Sequence, residues 1–89
     1  LHLGNICWEN NVNYPKNDLN GCENITQSAC DCQMLCNNTD NCHSFTWIGP
    51  SAPSSAGRKK CCLKNSTNPI RQTQPGFVSG PKSCGKLEC

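Results

Sequence analysis

Residues 30–47 read CDCQMLCNNTDNCHSFTW, a run that sets four cysteines within thirteen positions and a histidine directly after the last of them. Thiols this dense are metal ligands, a nucleophile with its base, or disulfide staples, and each alternative demands a different fold. The local pattern comes first. Ser28 followed by Asp31 matches a helix start, with a hydroxyl accepting from an orphan backbone N–H and an acid near the positive end of the dipole. Ala29, Cys32, Leu35 and Cys36 then recur at spacings of three and four as one apolar stripe, with Asp31, Gln33 and Met34 outside it. Asn37-Asn38 and Thr39-Asp40-Asn41 stop the helix, because Asn and Asp accept turn and left-handed conformations. The expected helix covers about 29–37.

Outward from it, residues 43–48 alternate as a strand, with Phe45 and Trp47 on one face and Ser44, Thr46 and Ile48 on the other. Gly49-Pro50 ends it. Residues 49–57, GPSAPSSAG, have no periodicity and read as a long mobile connection. Further strands are expected over 60–64 and 77–79, and residues 6–8 are a short candidate for the same sheet. No internal repeat is visible.

Composition narrows the class. An 89-residue chain makes one domain with too little buried surface for a hydrophobic core alone to hold comfortably, and ten cysteines among those residues mark a disulfide scaffold. The even count lets all of them pair, which favours an oxidising compartment. The chain begins at Leu1 with no basic start and apolar run, so it reads as a mature product or a piece of a longer secreted protein. A formal net charge of +2 is too small to argue for nucleic acid. No stretch approaches the roughly 18 apolar residues of a membrane span, so direct insertion is not expected.

The three chemistries of the cysteines separate on spacing. Cys32, Cys36, Cys61 and Cys62 could supply four thiolates to zinc, but six further cysteines would be left over, and His43 has only the remote His2 beside it. No metal and no cofactor are expected. A Cys42–His43 catalytic pair fails because adjacent strand residues point to opposite faces, and no G-x-S-x-G turn or acid/base pair accompanies the serines. Staples remain. Cys32 and Cys36 point in parallel from one helical face, so each should reach a partner outside the helix. Cys42, which follows Cys36 after a five-residue turn, is near enough for a short bridge, and the Cys61-Cys62 pair offers a strand partner for Cys32.

Cys32-Gln33-Met34-Leu35-Cys36, then Cys42 with Phe45 and Trp47, then Cys61-Cys62-Leu63-Lys64, then Val78-Ser79-Gly80 before Cys84 together resemble the PAN/apple family. Modules of this kind occur in proteins of the plasma kallikrein and factor XI type and in apicomplexan micronemal adhesins. The resemblance runs from Cys7 to Cys84 and makes residues 1–89 a single module, excised from a larger multi-domain secreted protein. It implies an α+β fold, with a curved antiparallel sheet of about five strands packed on one helix. It also implies the bridges Cys7–Cys84, Cys32–Cys61 and Cys36–Cys42. Cys22, Cys30, Cys62 and Cys89 depart from the six-cysteine pattern and allow three pairings among themselves. Cys62 should face away from Cys61, toward the other side of the sheet.

The function implied is non-catalytic: an extracellular binding or adhesion module for a protein partner or cell-surface glycan, one of several in a secreted adhesive protein such as a micronemal protein. Storage in a secretory organelle before release belongs to that reading. A stand-alone cysteine-rich inhibitor or toxin, or a module of a protease zymogen, is the alternative. Arg58, Lys59 and Lys60 are the candidate anionic-ligand patch, against the plainer reading of a solvated turn. Trp8 is a candidate stacking or anchoring residue, whereas Trp47 reads as core. Asn24, Asn37 and Asn65 each open an N-x-S/T sequon, although about two such sequons arise from this composition by chance.

Overall fold

The computed structural model describes residues 7–53 and 57–85. Helix α1 spans Ala29–Asn37, and Ser28 caps it by accepting the Asp31 N–H on Oγ at 3.1 Å. Asn38 closes it by donating its own N–H back to the Met34 and Leu35 carbonyls. Five strands form one antiparallel sheet: β1 (Glu9–Asn13), β2 (Asn24–Ile25), β3 (Ser44–Ile48), β4 (Lys60–Lys64) and β5 (Gln72–Pro81), in the order β1-β5-β3-β4-β2. A disulfide-rich α+β architecture, one helix on a five-stranded sheet, is therefore what this sequence forms.

The helix covers one face of the sheet. Phe45 is fully buried there, with Ala29, Cys32, Cys36, Cys42, Cys61 and Leu63 around it and Trp8, Leu19, Leu35, Trp47 and Val78 at the margin. Strand alternation places Phe45 and Trp47 together on this face, opposite Leu63 and Cys61 of β4. The other face is held by polar contacts instead. Tyr14 N–H donates to Thr46 Oγ1 at 3.1 Å, the Thr46 and Ser79 hydroxyls lie 2.7 Å apart, and Ser79 Oγ donates to the Val12 carbonyl at 2.6 Å. Ser79 spends its hydrogen on Val12, so Thr46 is the donor between the two hydroxyls. All three side chains are buried, and no buried polar side-chain atom among the described residues lacks a partner.

Among the described residues, four bridges lock these layers. Cys32–Cys61 ties the helix to β4 and Cys36–Cys42 ties its C-terminal end to the approach to β3. Cys7–Cys84 joins residues 77 positions apart, and Cys22–Cys62 clamps the segment after β1 onto the face of β4 that points away from the helix. Of the four additional cysteines, Cys22 and Cys62 thus pair. Cys30 is also disulfide-bonded, and Cys89 lies outside the described residues. Asn supplies the sharp corners: among the described residues it provides four of the seven non-glycine positions with left-handed backbone, Asn11, Asn17, Asn20 and Asn41.

Several expectations shift. Gln33, placed outside the apolar stripe, is 1% exposed. Its Nε2 donates to the Pro81 carbonyl at 2.9 Å and to Cys84 Sγ at 3.2 Å, while its Oε1 accepts the Trp8 indole N–H at 2.9 Å, so a polar residue latches the terminal bridge. The N-terminal strand lies at Glu9–Asn13 rather than 6–8, of which Ile6 is outside the described residues. The strand expected at 77–79 extends to ten residues, Gln72–Pro81, despite Pro75 and Gly76, because those residues sit where the β1 register jumps from Asn10↔Val78 to Val12↔Thr73. The 49–57 connection was expected to move freely, yet its described first half is anchored. Ala52 is 1% exposed, Gly49 N–H donates to the Gly76 carbonyl at 2.8 Å, and Ala52 N–H donates to the Gly49 carbonyl at 3.1 Å.

Candidate functional site

The kink in β5 makes a concavity. Gly76 adopts φ +84°, and a Cβ there would stand 2.5 Å from Ala52 Cα, so the loop after β3 packs directly on the β5 backbone. Between that contact and β1 lies an open groove of about 380 Å³. Asn10 and Asn11 form one wall, residues 49–51 the other, and Trp47 and residues 76–78 the floor. Not one of these lining residues carries an ionisable side chain. Asn11 accepts the Gly76 N–H on Oδ1 at 3.0 Å, which fixes its amide and leaves the NH2 group as a donor. The Trp47 indole N–H is spent on the Thr26 carbonyl at 3.2 Å, so its ring contributes apolar surface.

A charged brace holds the β1 wall in place. Tyr14 O–H donates to Glu9 Oε1 at 2.5 Å, Arg71 Nε donates to both Glu9 carboxylate oxygens at 2.8 and 2.9 Å, and the guanidinium lies 5.7 Å from the Tyr14 ring centroid. The Tyr14 hydrogen bond, followed by the Arg71 contacts, holds the Glu9 carboxyl below its usual range, partly opposed by desolvation. Burial, and then the neighbouring carboxylate, pushes the Tyr14 hydroxyl well above the ordinary phenol value. The signs set opposite windows. The Glu9 contribution is present above about pH 4.3 and lost as pH falls through the lowered folded value, whereas the Tyr14 contribution is lost as pH rises above about 10. Thermal midpoints measured from pH 6 downward should therefore fall more steeply for the parent than for Glu9→Gln. Equal acid slopes would remove the brace as a contributor.

The residues singled out from the sequence are not gathered into one patch. Arg58 is exposed but turns its guanidinium onto the Ala52 carbonyl, at 3.3 Å from Nε and 3.1 Å from the terminal nitrogen. Lys59 Nζ donates to Gln27 Oε1 at 3.1 Å, and Lys60 sits in β4 opposite Ile25. Trp8 is half-buried against the core with its N–H committed to Gln33. Asp18 Oδ, Cys22 Sγ and Cys62 Sγ lie within 4.8 Å of one another, but the two sulfurs share a disulfide and Asp18 pairs with Lys64 Nζ at 2.6 Å. Such a set offers no thiolate to a metal. Cys42 is bridged to Cys36 and is no nucleophile for His43. The groove itself was missed in the sequence, because its Asn10-Asn11 wall and its floor at residues 76–78 are more than sixty positions apart and only the sheet brings them together.

Comparison with known proteins agrees with the architecture. A relative, coagulation factor XI from Bos taurus, is 35% identical in an alignment 68 residues long that covers 68% of this chain and 11% of the relative. The chain thus spans about a ninth of the length of that protein. The family model of the PAN domain matches residues 12–64, from the end of β1 to the end of β4 and including the capped helix and three of the bridged half-cystine pairs. The chain belongs to the PAN/apple family.

Proposed function

We propose that this chain is a non-catalytic, extracellular binding module of a larger secreted adhesive protein, and that it engages its partner through the groove between β1, the β5 kink and the loop after β3. PAN/apple domains are protein- or carbohydrate-binding modules. The observation that carries the reading is the lining: amides, a fixed loop backbone and aromatic surface, with no charge. Such a surface pairs with uncharged hydroxyl or amide groups, as on a neutral glycan or a polar loop of a partner protein, and gives little to a sulfate or carboxylate. Several such modules in one protein would turn weak contacts into useful avidity. The disulfide frame supports an oxidising, extracellular setting.

The test is a titration of the isotope-labelled chain with a panel of neutral and sulfated oligosaccharides and with the extracellular modules that flank it in its parent protein. Amide shifts should cluster at residues 10–11, 47–51 and 76–78, and binding should change little between low and physiological salt. Asn10→Arg, which places a long cation on the exposed groove wall, should weaken that binding at least about tenfold. If binding falls steeply with salt and is lost instead in the combined Arg58→Ser, Lys59→Ser, Lys60→Ser variant, the cationic segment is the site and the groove is not.

A further inference from the structure

The sheet has two ends, and its sequons divide between them. At the Ile48 end of β3 lies the groove, where Ile48 pairs with Phe77 and Gly49 donates to Gly76. At the Ser44 end, about 13 Å away along a five-residue strand, Ser44 pairs with Lys64 and its hydroxyl donates to the Ser66 carbonyl at 2.8 Å. Asn65 follows Lys64 directly and is exposed. Asn37 follows Cys36, whose bridge to Cys42 fixes the end of α1 beside the start of β3, and it too is exposed. Two sequons therefore open onto solvent at the pole opposite the groove.

The third sequon is placed differently. Asn24 lies in β2 directly opposite Cys61, and directly opposed residues of an antiparallel pair project to the same face. Cys61 projects toward the helix, since it is bridged to Cys32, so the half-buried Asn24 side chain lies on the helix-covered face. The Thr26 hydroxyl is turned onto the Ser28 carbonyl at 3.0 Å, as the Thr39 hydroxyl of the Asn37 sequon is onto the Leu35 carbonyl at 2.6 Å, so what separates the sequons is the placement of the asparagine. A branched oligosaccharide there would compete with the seating of α1 on the sheet. An N-glycan is bulky and strongly hydrated, and a folded domain keeps it only where the asparagine opens to solvent.

We infer that Asn37 and Asn65 carry N-linked oligosaccharides and that Asn24 does not, so that the glycans sheathe the Ser44 pole and leave the groove pole as the bare surface. This rests on the secreted reading above but not on the ligand of the groove. The two exposed sequons then have a physical consequence: steric exclusion at one pole orients the module so that partners meet it from the other.

The experiment is glycosite mapping on the unsubstituted 89-residue chain secreted from a eukaryotic cell line. Peptide-N-glycosidase in heavy-oxygen water converts each occupied asparagine to a labelled aspartate, read by peptide mass spectrometry. Label at Asn37 and Asn65 with Asn24 unlabelled is the expected result, and intact mass should fall by two glycan steps. Asn37→Gln and Asn65→Gln should each remove one step and Asn24→Gln none. A folded, fully oxidised chain with Asn37 and Asn65 bare overturns the inference, as does occupancy of Asn24 equal to theirs. Ligand binding is read separately, so failure of the groove reading leaves this map unchanged.

Discussion

Replacing Cys32 and Cys61 together by alanine should cost the molecule more stability than the same change at Cys36 and Cys42. Their separation of 29 residues corresponds to about 3–4 kcal/mol of denatured-chain entropy, against about 2–3 kcal/mol for the six-residue separation of Cys36 and Cys42. Burial adds to this. Both cysteines are fully buried beside Phe45, so alanine leaves a void between helix and sheet where the lost sulfur contacts have no replacement. Cys7–Cys84 closes a longer loop, but both of its cysteines are only half-buried, and its loss opens no comparable gap. A domain of this size has about 5–15 kcal/mol in total. The double variant should melt more than about 12 °C below the parent under non-reducing conditions, with reduced secreted yield. A midpoint within a few degrees of the parent would mean that the helix is held by packing alone.

Gly76→Ala should be the most damaging single methyl group that can be added to the groove. The left-handed backbone at φ +84° costs an L-residue about 1–2 kcal/mol by itself. The added Cβ would also meet Ala52 Cα at 2.5 Å and Ala52 N at 2.6 Å, which are backbone atoms with no rotamer to yield. The loop must therefore lift. Lifting it breaks the Gly49-to-Gly76 hydrogen bond and strips the Arg58 guanidinium from its carbonyl, so the groove loses a wall while the disulfide frame stays intact. Binding should drop at least about tenfold, with amide shifts confined to residues 47–52 and 74–78. Gly85→Ala is the control, because that glycine has left-handed backbone but nothing within 4 Å of its added Cβ. If Gly76→Ala binds like the parent, the loop does not shape the site.

Much of the helix and of the sheet's central strands was legible because their signals are local. Ser28 and Asp31 cap a helix wherever they stand, and Ala29, Cys32 and Cys36 meet the sheet at the spacing of the helix itself. The alternation of Phe45 with Thr46 gave the two faces of β3, and the adjacency of Cys61 and Cys62 required one sulfur on each side of β4. The partner of Cys62 could not be read, since the path of residues 14–22 across that side is set by tertiary contacts such as Tyr14 on Thr46 and Asp18 on Lys64.

Two further decisions belong to the tertiary structure. Glu9–Asn13 and the first half of Gln72–Pro81 have weak strand propensity on their own, with Asn-rich sequence in one and Pro75-Gly76 in the other, and they become strands because β5 pairs with β1 on one side and with β3 on the other. Gln33 reads as a solvent-facing polar residue until residues 7–8 and 81–84 meet beneath it, when one side chain satisfies Trp8, Pro81 and Cys84 together. The sequence by itself determined a disulfide-stapled chain with its helix on 29–37, because cysteine count is composition and short-range periodicity belongs to neighbouring residues, while the α+β module was implied by the resemblance to the PAN/apple family. Only the tertiary structure decided where the groove opens and which sequons face away from it, because a groove and a pole exist only once segments distant in the chain share a sheet.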